Sequence, residues 1–70
     1  MTRREKEVFQ IVKKISGEFG EKAHPKTIGM LMNITSDYAQ ILCREMVSSR
    51  YLVKKGIYYE IAPEYLQEGE

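Results

Sequence analysis

Between Pro25 and Thr35 the chain carries a helix start, a helix stop and a second helix start, and a segment punctuated this closely can fold in few ways. Pro25 suits the first turn of a helix, where its missing amide proton costs nothing, and it pushes His24 out of helical geometry. Ile28, Leu31 and Met32 share the inner face of the helix that follows. That helix ends near Met32, because Asn33 tolerates the left-handed conformation of a tight turn. Ile34 then plugs the core. Thr35 caps a third helix, on which Ala39, Leu42, Cys43, Met46 and Val47 recur at helical spacing, ending near Ser49.

The residues before this segment read as one more helix. Thr2 followed by Glu5 is a capping box, which satisfies free amides at a helix start. Val8, Phe9, Ile11, Val12, Ile15 and Phe19 form one apolar stripe, while Arg3, Arg4, Lys6, Lys13 and Lys14 face elsewhere. Gly17 and Gly20 are candidate C-caps, and Glu21 to His24 read as a loop. After Ser49 the period changes. Tyr51-Leu52-Val53-Lys54 and Ile57-Tyr58-Tyr59-Glu60-Ile61 are rich in β-branched and aromatic residues, which predicts a β-hairpin turning at Lys55-Gly56. Pro63 ends the second strand, since it cannot donate to a ladder, and Tyr65 and Leu66 are candidates to dock on the body. The expected fold class is α+β, three helices followed by a short β-hairpin, with a domain over residues 1–63 and a short acidic tail over 64–70.

A chain of 70 residues has room for one core, since a domain takes on the order of 100 residues. With 43% hydrophobic residues it is too apolar for a disordered chain, yet it holds no apolar run long enough to span a membrane. No apolar stretch follows Met1 closely enough to make a signal peptide or anchor, so a cytoplasmic location is expected. Cys43 stands alone, which excludes an intramolecular disulfide and leaves packing to hold the fold. The net charge of +1 argues weakly against strong nucleic-acid binding, but the charge is unevenly spread. Residues 1–59 hold all 11 lysines and arginines against six carboxylates, a balance of +5, while Glu60, Glu64, Glu68 and Glu70 put −4 at the end. The body is basic and the tail acidic; solubility alone accounts for such a tail.

Two helices joined by a short turn, the second capped by Thr35 and followed by a hairpin, is the order expected of a winged helix-turn-helix. The stretch from Pro25 to Ala39 resembles the helix-turn-helix of bacterial and archaeal winged-helix regulators. Those families place a small residue in the first helix, a glycine or asparagine at the turn, an apolar residue after it and a Ser or Thr cap. Gly29, Asn33, Ile34 and Thr35 match. Thr2 to Val12 is also similar to the opening helix of the DNA-binding domain of the SOS repressor, and the general resemblance covers about residues 2–61. Two features depart from it. Arg50 stands where the families commonly carry glycine, so the third helix is expected to end differently, because an arginine at positive φ would be strained. The hairpin is short, which disfavours deep insertion into a minor groove.

The resemblance implies a small, sequence-specific binder of double-stranded DNA, a transcriptional regulator with its third helix in the major groove. The contact candidates are then Thr35, Ser36, Asp37, Tyr38, Gln40, Ile41 and Arg44 on that helix, and Lys54 and Lys55 on the hairpin. Gln40 pairs bidentately with adenine, Arg44 with guanine or a phosphate, and Ile41 touches a thymine methyl. Asp37 suits the helix N-terminus better than a site beside phosphates. The lysines reach the phosphate backbone.

Each candidate has a plainer reading: Arg44 pairs with a neighbouring acid, Tyr38 covers the core edge, and the two lysines solvate a turn. Tyr51, Tyr58 and Tyr59 are able to stack on bases but at strand spacing read as core or core rim. His24 and Cys43 are too few and too far apart for a metal site, and neither a phosphate-cradling loop nor a catalytic triad is present, so neither catalysis nor a cofactor is expected. Cys43 on the buried face reads as inert. The alternative function is a protein-interaction module in a larger assembly, which the near-neutral charge and the acids Asp37 and Glu45 would suit. A homodimer would suit a palindromic target, and helix 1 or Tyr65-Leu66 would have to build it.

Overall fold

Thr2 and Glu5 close the capping box reciprocally. The Thr2 amide donates to Glu5 Oε1 at 2.8 Å and the Glu5 amide to Thr2 Oγ1 at 3.1 Å. From that start the computed structural model, which describes residues 1–18 and 22–66, builds helices α1 (Arg3–Glu18), α2 (Pro25–Met32) and α3 (Ser36–Ser48). An antiparallel hairpin of β1 (Leu52–Lys55) and β2 (Tyr58–Ile61) follows, then a short helix α4 (Pro63–Leu66). The architecture is α+β, with helices and hairpin sharing one core. Phe19, Gly20, Glu21, Glu68 and Glu70, which carry parts of the expected stripe, cap, loop and tail, lie outside the described residues.

The stripe on α1 buries Val8, Phe9, Val12 and Ile15, each side chain contributing about 1.5–3 kcal/mol on leaving water. They meet Ile28 of α2, Ala39, Leu42, Cys43 and Met46 of α3, and Leu52, Tyr59 and Ile61 of the hairpin. Gly17 does not cap α1: it sits inside the helix without a positive φ. Leu31 is a second correction. It is 59% exposed, because the inner face of this short helix is taken by Pro25, Ile28 and Gly29 with Met32 at the edge. Leu31 lies one flank away.

His24 is extended (φ −94°, ψ 143°) ahead of Pro25, as its place before proline requires, and its Nδ1 accepts from the Lys26 amide at 3.0 Å. The imidazole caps the helix in the role usually given to Ser or Asp. At the other end Asn33 is left-handed (φ 59°, ψ 43°). The Ile34 amide donates to the Gly29 carbonyl at 2.9 Å and the Asn33 amide to the Met30 carbonyl at 3.3 Å, the paired bonds of a Schellman motif. Thr35 then accepts from the Tyr38 amide at 3.1 Å and starts α3.

The end of α3 repeats that motif. The Tyr51 amide donates to the Met46 carbonyl at 2.9 Å and the Arg50 amide to the Val47 carbonyl at 3.0 Å, with Arg50 left-handed at φ 69°. The helix therefore ends as a glycine would end it, and Arg50 takes the strain that the sequence pointed to. The motif satisfies two otherwise free carbonyls and aims Tyr51 back at the core, and these gains hold the arginine there.

The hairpin turns one residue later than its composition suggested. Lys55 pairs with Tyr58, so Gly56 and Ile57 form the loop and Lys55 belongs to β1. Gly56 adopts φ 65° and Ile57 stays at negative φ, the combination of a two-residue loop with glycine first. Ala23, expected in a loop, instead pairs with the outer edge of β2. Its amide donates to the Tyr59 carbonyl at 3.3 Å and accepts the Tyr59 amide at 2.8 Å through its own carbonyl. Tyr65 of α4 docks as anticipated, its ring edge-on to Phe9 at 5.5 Å and tilted against Tyr51 at 5.8 Å.

Two substitutions should move stability in opposite directions. Arg50→Gly relieves a left-handed L-residue and should raise unfolding free energy by about 0.5–1 kcal/mol after glycine's greater unfolded-state entropy is subtracted. The three atoms nearest a Cβ on Gly29 would all be backbone, starting with the Ile34 oxygen at 3.0 Å and that of Thr35 at 3.2 Å, so Gly29→Val should cost about 1–3 kcal/mol. Urea denaturation followed by circular dichroism reads both.

Candidate nucleic-acid interface

The core takes one side of α3 and leaves the other free. Ala39, Leu42, Cys43 and Met46 point inward, while Ser36, Asp37, Tyr38, Gln40, Ile41 and Arg44 are all exposed. Tyr38 is 40% and Ile41 52% exposed, so neither is used to cover the core. Thr35 differs from its neighbours: its hydroxyl oxygen is already committed to the cap, so its part is to start the helix. Asp37 sits in the first turn, where the helix dipole favours a carboxylate. Arg44 makes no ion pair with an acid among the described residues, the one ion pair there being Arg4–Glu7 at 3.1 Å.

The hairpin separates its two lysines. Successive strand residues point to opposite faces, so Lys54, opposite Tyr59, lies on the face shared with Leu52 and Ile61, while Lys55, opposite Tyr58, lies on the other. Lys54 is brought to α3. Together with Gln40, His24, Pro25, Ile57 and Tyr59 it lines a cleft of about 160 Å³ between the head of α2, the middle of α3 and the hairpin loop. Arg44 and Ile41 line a second, shallower depression of about 270 Å³ with Glu45 and Ser48, further along α3. The expected contact set therefore divides into a Gln40–Lys54 group and an Ile41–Arg44 group, with Lys55 apart from both. His24 and Ile57 were not among the sequence candidates, and spacing could not have marked them. Only the helix cap and the loop register bring them to this cleft.

The tyrosines also divide. Tyr59 is 1% exposed and belongs to the core, Tyr51 is half-buried, and Tyr58 is exposed with its ring edge-on to His24 at 5.8 Å. The buried Tyr59 hydroxyl has no hydrogen-bond partner among the described residues. Burial first, and Cys43 after it, push the Tyr59 phenol above its ordinary range against an opposing pull from Arg44. Cys43 is fully buried, and desolvation raises its thiol from 9.0 to about 12.

Among the described residues no group of three or more His, Cys, Asp or Glu side chains is placed to hold a metal ion, and no helix is long and apolar enough to cross a membrane. No protein-family model matches this chain, and neither a curated protein nor a solved structure matches it.

The raised Cys43 thiol has a measurable consequence. Its stabilising protonation is complete below pH 9.0, where the unfolded thiol also keeps its proton, and is lost as pH rises from 9.0 towards about 12, where only the unfolded chain ionises. Tyr59 adds a contribution of the same sign. Unfolding free energy should therefore fall across this alkaline window, and fall less in Cys43→Ala measured against its own neutral-pH value. Iodoacetamide should label the folded chain far more slowly than the urea-unfolded chain.

Proposed function

We propose that this protein is a winged helix-turn-helix that binds double-stranded DNA as a cytoplasmic transcriptional regulator, with α3 in the major groove and the hairpin as its wing. The element order of three helices and an antiparallel hairpin is compatible with that layout. The observation that supports the reading is the cleft lined by both Gln40 of α3 and Lys54 of the hairpin, because it brings α3 and a hairpin cation to one surface. A helix in the major groove with its N-terminal residues nearest the bases would present Ser36, Asp37 and Gln40 first, then Ile41 and Arg44. Lys54 would lie against the adjacent phosphates, while Lys55, on the far face of the hairpin, would contribute little.

A second reading is supported by a specific observation. Tyr38 and Ile41 are exposed on α3 beside Asp37 and Glu45, and the helix bears two carboxylates against one arginine. An exposed apolar strip with a weak net field suits a protein partner, in which case the chain is an interaction module.

Binding to a random duplex, titrated with salt by fluorescence anisotropy, separates the two. DNA binding should give a linear fall of log K with log salt, and each lost phosphate contact should reduce the slope by about 0.9. Lys54→Ala should lower the slope and the affinity more than Lys55→Ala, and Arg44→Ala should lower affinity as well. Salt-independent or absent binding in the native chain removes the DNA reading and leaves the protein partner.

A further inference from the structure

The cleft between His24, Gln40 and Lys54 has a donor set that fits one ligand chemistry. Because His24 Nδ1 accepts from the Lys26 amide, the proton of the neutral ring sits on Nε2, which makes the free edge of the imidazole a donor. Lys54 brings an ammonium with three donors and Gln40 an amide with two. Neither side chain is held by a hydrogen bond or an ion pair among the described residues. Among the described residues no carboxylate lines the cleft, whereas the depression on α3 includes Glu45 and the groove between α1 and α2 includes Glu7. Its volume of about 160 Å³ is room for about five waters, enough for a tetrahedral anion that keeps part of its hydration. Pro25, Ile57 and Tyr59 form apolar walls, and a partly desolvated charge pair is stronger there than on an open surface.

We propose that this cleft is a seat for a phosphate-type oxyanion, held by Lys54, Gln40 and His24. The site itself stands on the cleft's donors and walls. Only the source of the anion, a backbone phosphate of DNA or a free phosphorylated small molecule, depends on the function proposed above. The seat changes the part assigned to Gln40: an amide that holds a phosphate is not free to pair with adenine, so Gln40 positions the protein on its target and does not read sequence.

Inorganic phosphate titrated into the isotope-labelled protein at constant ionic strength, with chloride as the balancing anion, tests the seat directly. Expected are saturable shifts confined to the amides of His24, Lys26 and residues 54–57 and the Gln40 side-chain amide. Lys54→Gln and Gln40→Ala, both at exposed positions, should weaken the binding at least ten-fold, and Lys14→Gln on α1 should leave it unchanged. Non-saturable shifts, shifts centred on Arg3, Arg4 and Lys6, or unaltered affinity in Lys54→Gln would overturn the seat.

A short duplex added to the same variants identifies the source. Parallel loss of phosphate and duplex binding in Lys54→Gln assigns the seat to the DNA backbone, and loss of phosphate binding alone assigns it to a free anion. Duplex binding without saturable phosphate shifts overturns the seat and spares the DNA reading; phosphate binding without duplex binding does the reverse.

Discussion

The distance between Gly29 and the chain that follows it sets the geometry on which everything else rests. A Cβ there would lie 3.0 Å from the Ile34 oxygen, 3.2 Å from the Thr35 oxygen and 3.3 Å from the Ser36 Cα. With hydrogen in its place, α2 lies directly against the turn and the first residue of α3. Backbone cannot rotate away as a side chain can, so a larger residue would have to be met by moving α3 as a body. The angle at which α3 leaves the turn decides which of its faces meets Val8 and Val12 and which faces water. The exposed row from Ser36 to Arg44 is thus fixed by a residue that meets it only at the Ser36 backbone.

Helix termini are the second constraint, and they show two ways of reaching one geometry. Asn33 and Arg50 both close Schellman motifs in the left-handed region, at φ 59° and 69°. Asparagine visits that region readily, so the turn after α2 could be read from its composition. Arginine does not, and local propensity argued for a different ending of α3. Tertiary packing decided the matter: Tyr51 is delivered to Tyr65 and Met46 stays in the core only if the chain reverses at Arg50. Propensity is a weak prior wherever a buried aromatic depends on the turn.

What could be read in the sequence was what local chemistry controls. The capping box of Thr2 and Glu5, the start at Pro25, the stop at Asn33, the cap at Thr35 and the core stripe of α3 each depend on residues within about one turn of one another. The misreadings share a different origin. Leu31 looked like core because its spacing from Ile28 is helical, but an eight-residue helix has one inner face and glycine occupies part of it. The pairing of Ala23 with Tyr59 joins positions far apart in the chain, and no local pattern encodes it. The hairpin loop was misplaced by a single residue, which leaves every strand side chain on its own face but brings Lys55 out of the turn and into the ladder opposite Tyr58. Strand alternation then parts Lys55 from Lys54, which composition alone presents as one basic turn.

The same register bears on how a chain with a net charge of +1 would bind a polyanion at all. A weak overall field gives little long-range steering, so affinity has to come from donors gathered at short range in places that carboxylates do not reach. The acids of α3 lie at Asp37 in its first turn and at Glu45 beside Arg44, while among the described residues none lines the hairpin cleft. Had the hairpin turned at Lys55-Gly56, Lys54 would have kept the face of Leu52 but would have stood opposite Ile57 at the loop instead of opposite the buried Tyr59, and Lys55 would have been a turn residue. Gly56 therefore matters beyond the turn itself: its left-handed φ lets Gly56 and Ile57 close the loop, which sets Lys54 opposite Tyr59 and makes Lys55 a strand residue on the other face. The placement of charge here follows from backbone register, and a change that lengthened the loop by one residue would alter the surface without changing any charge.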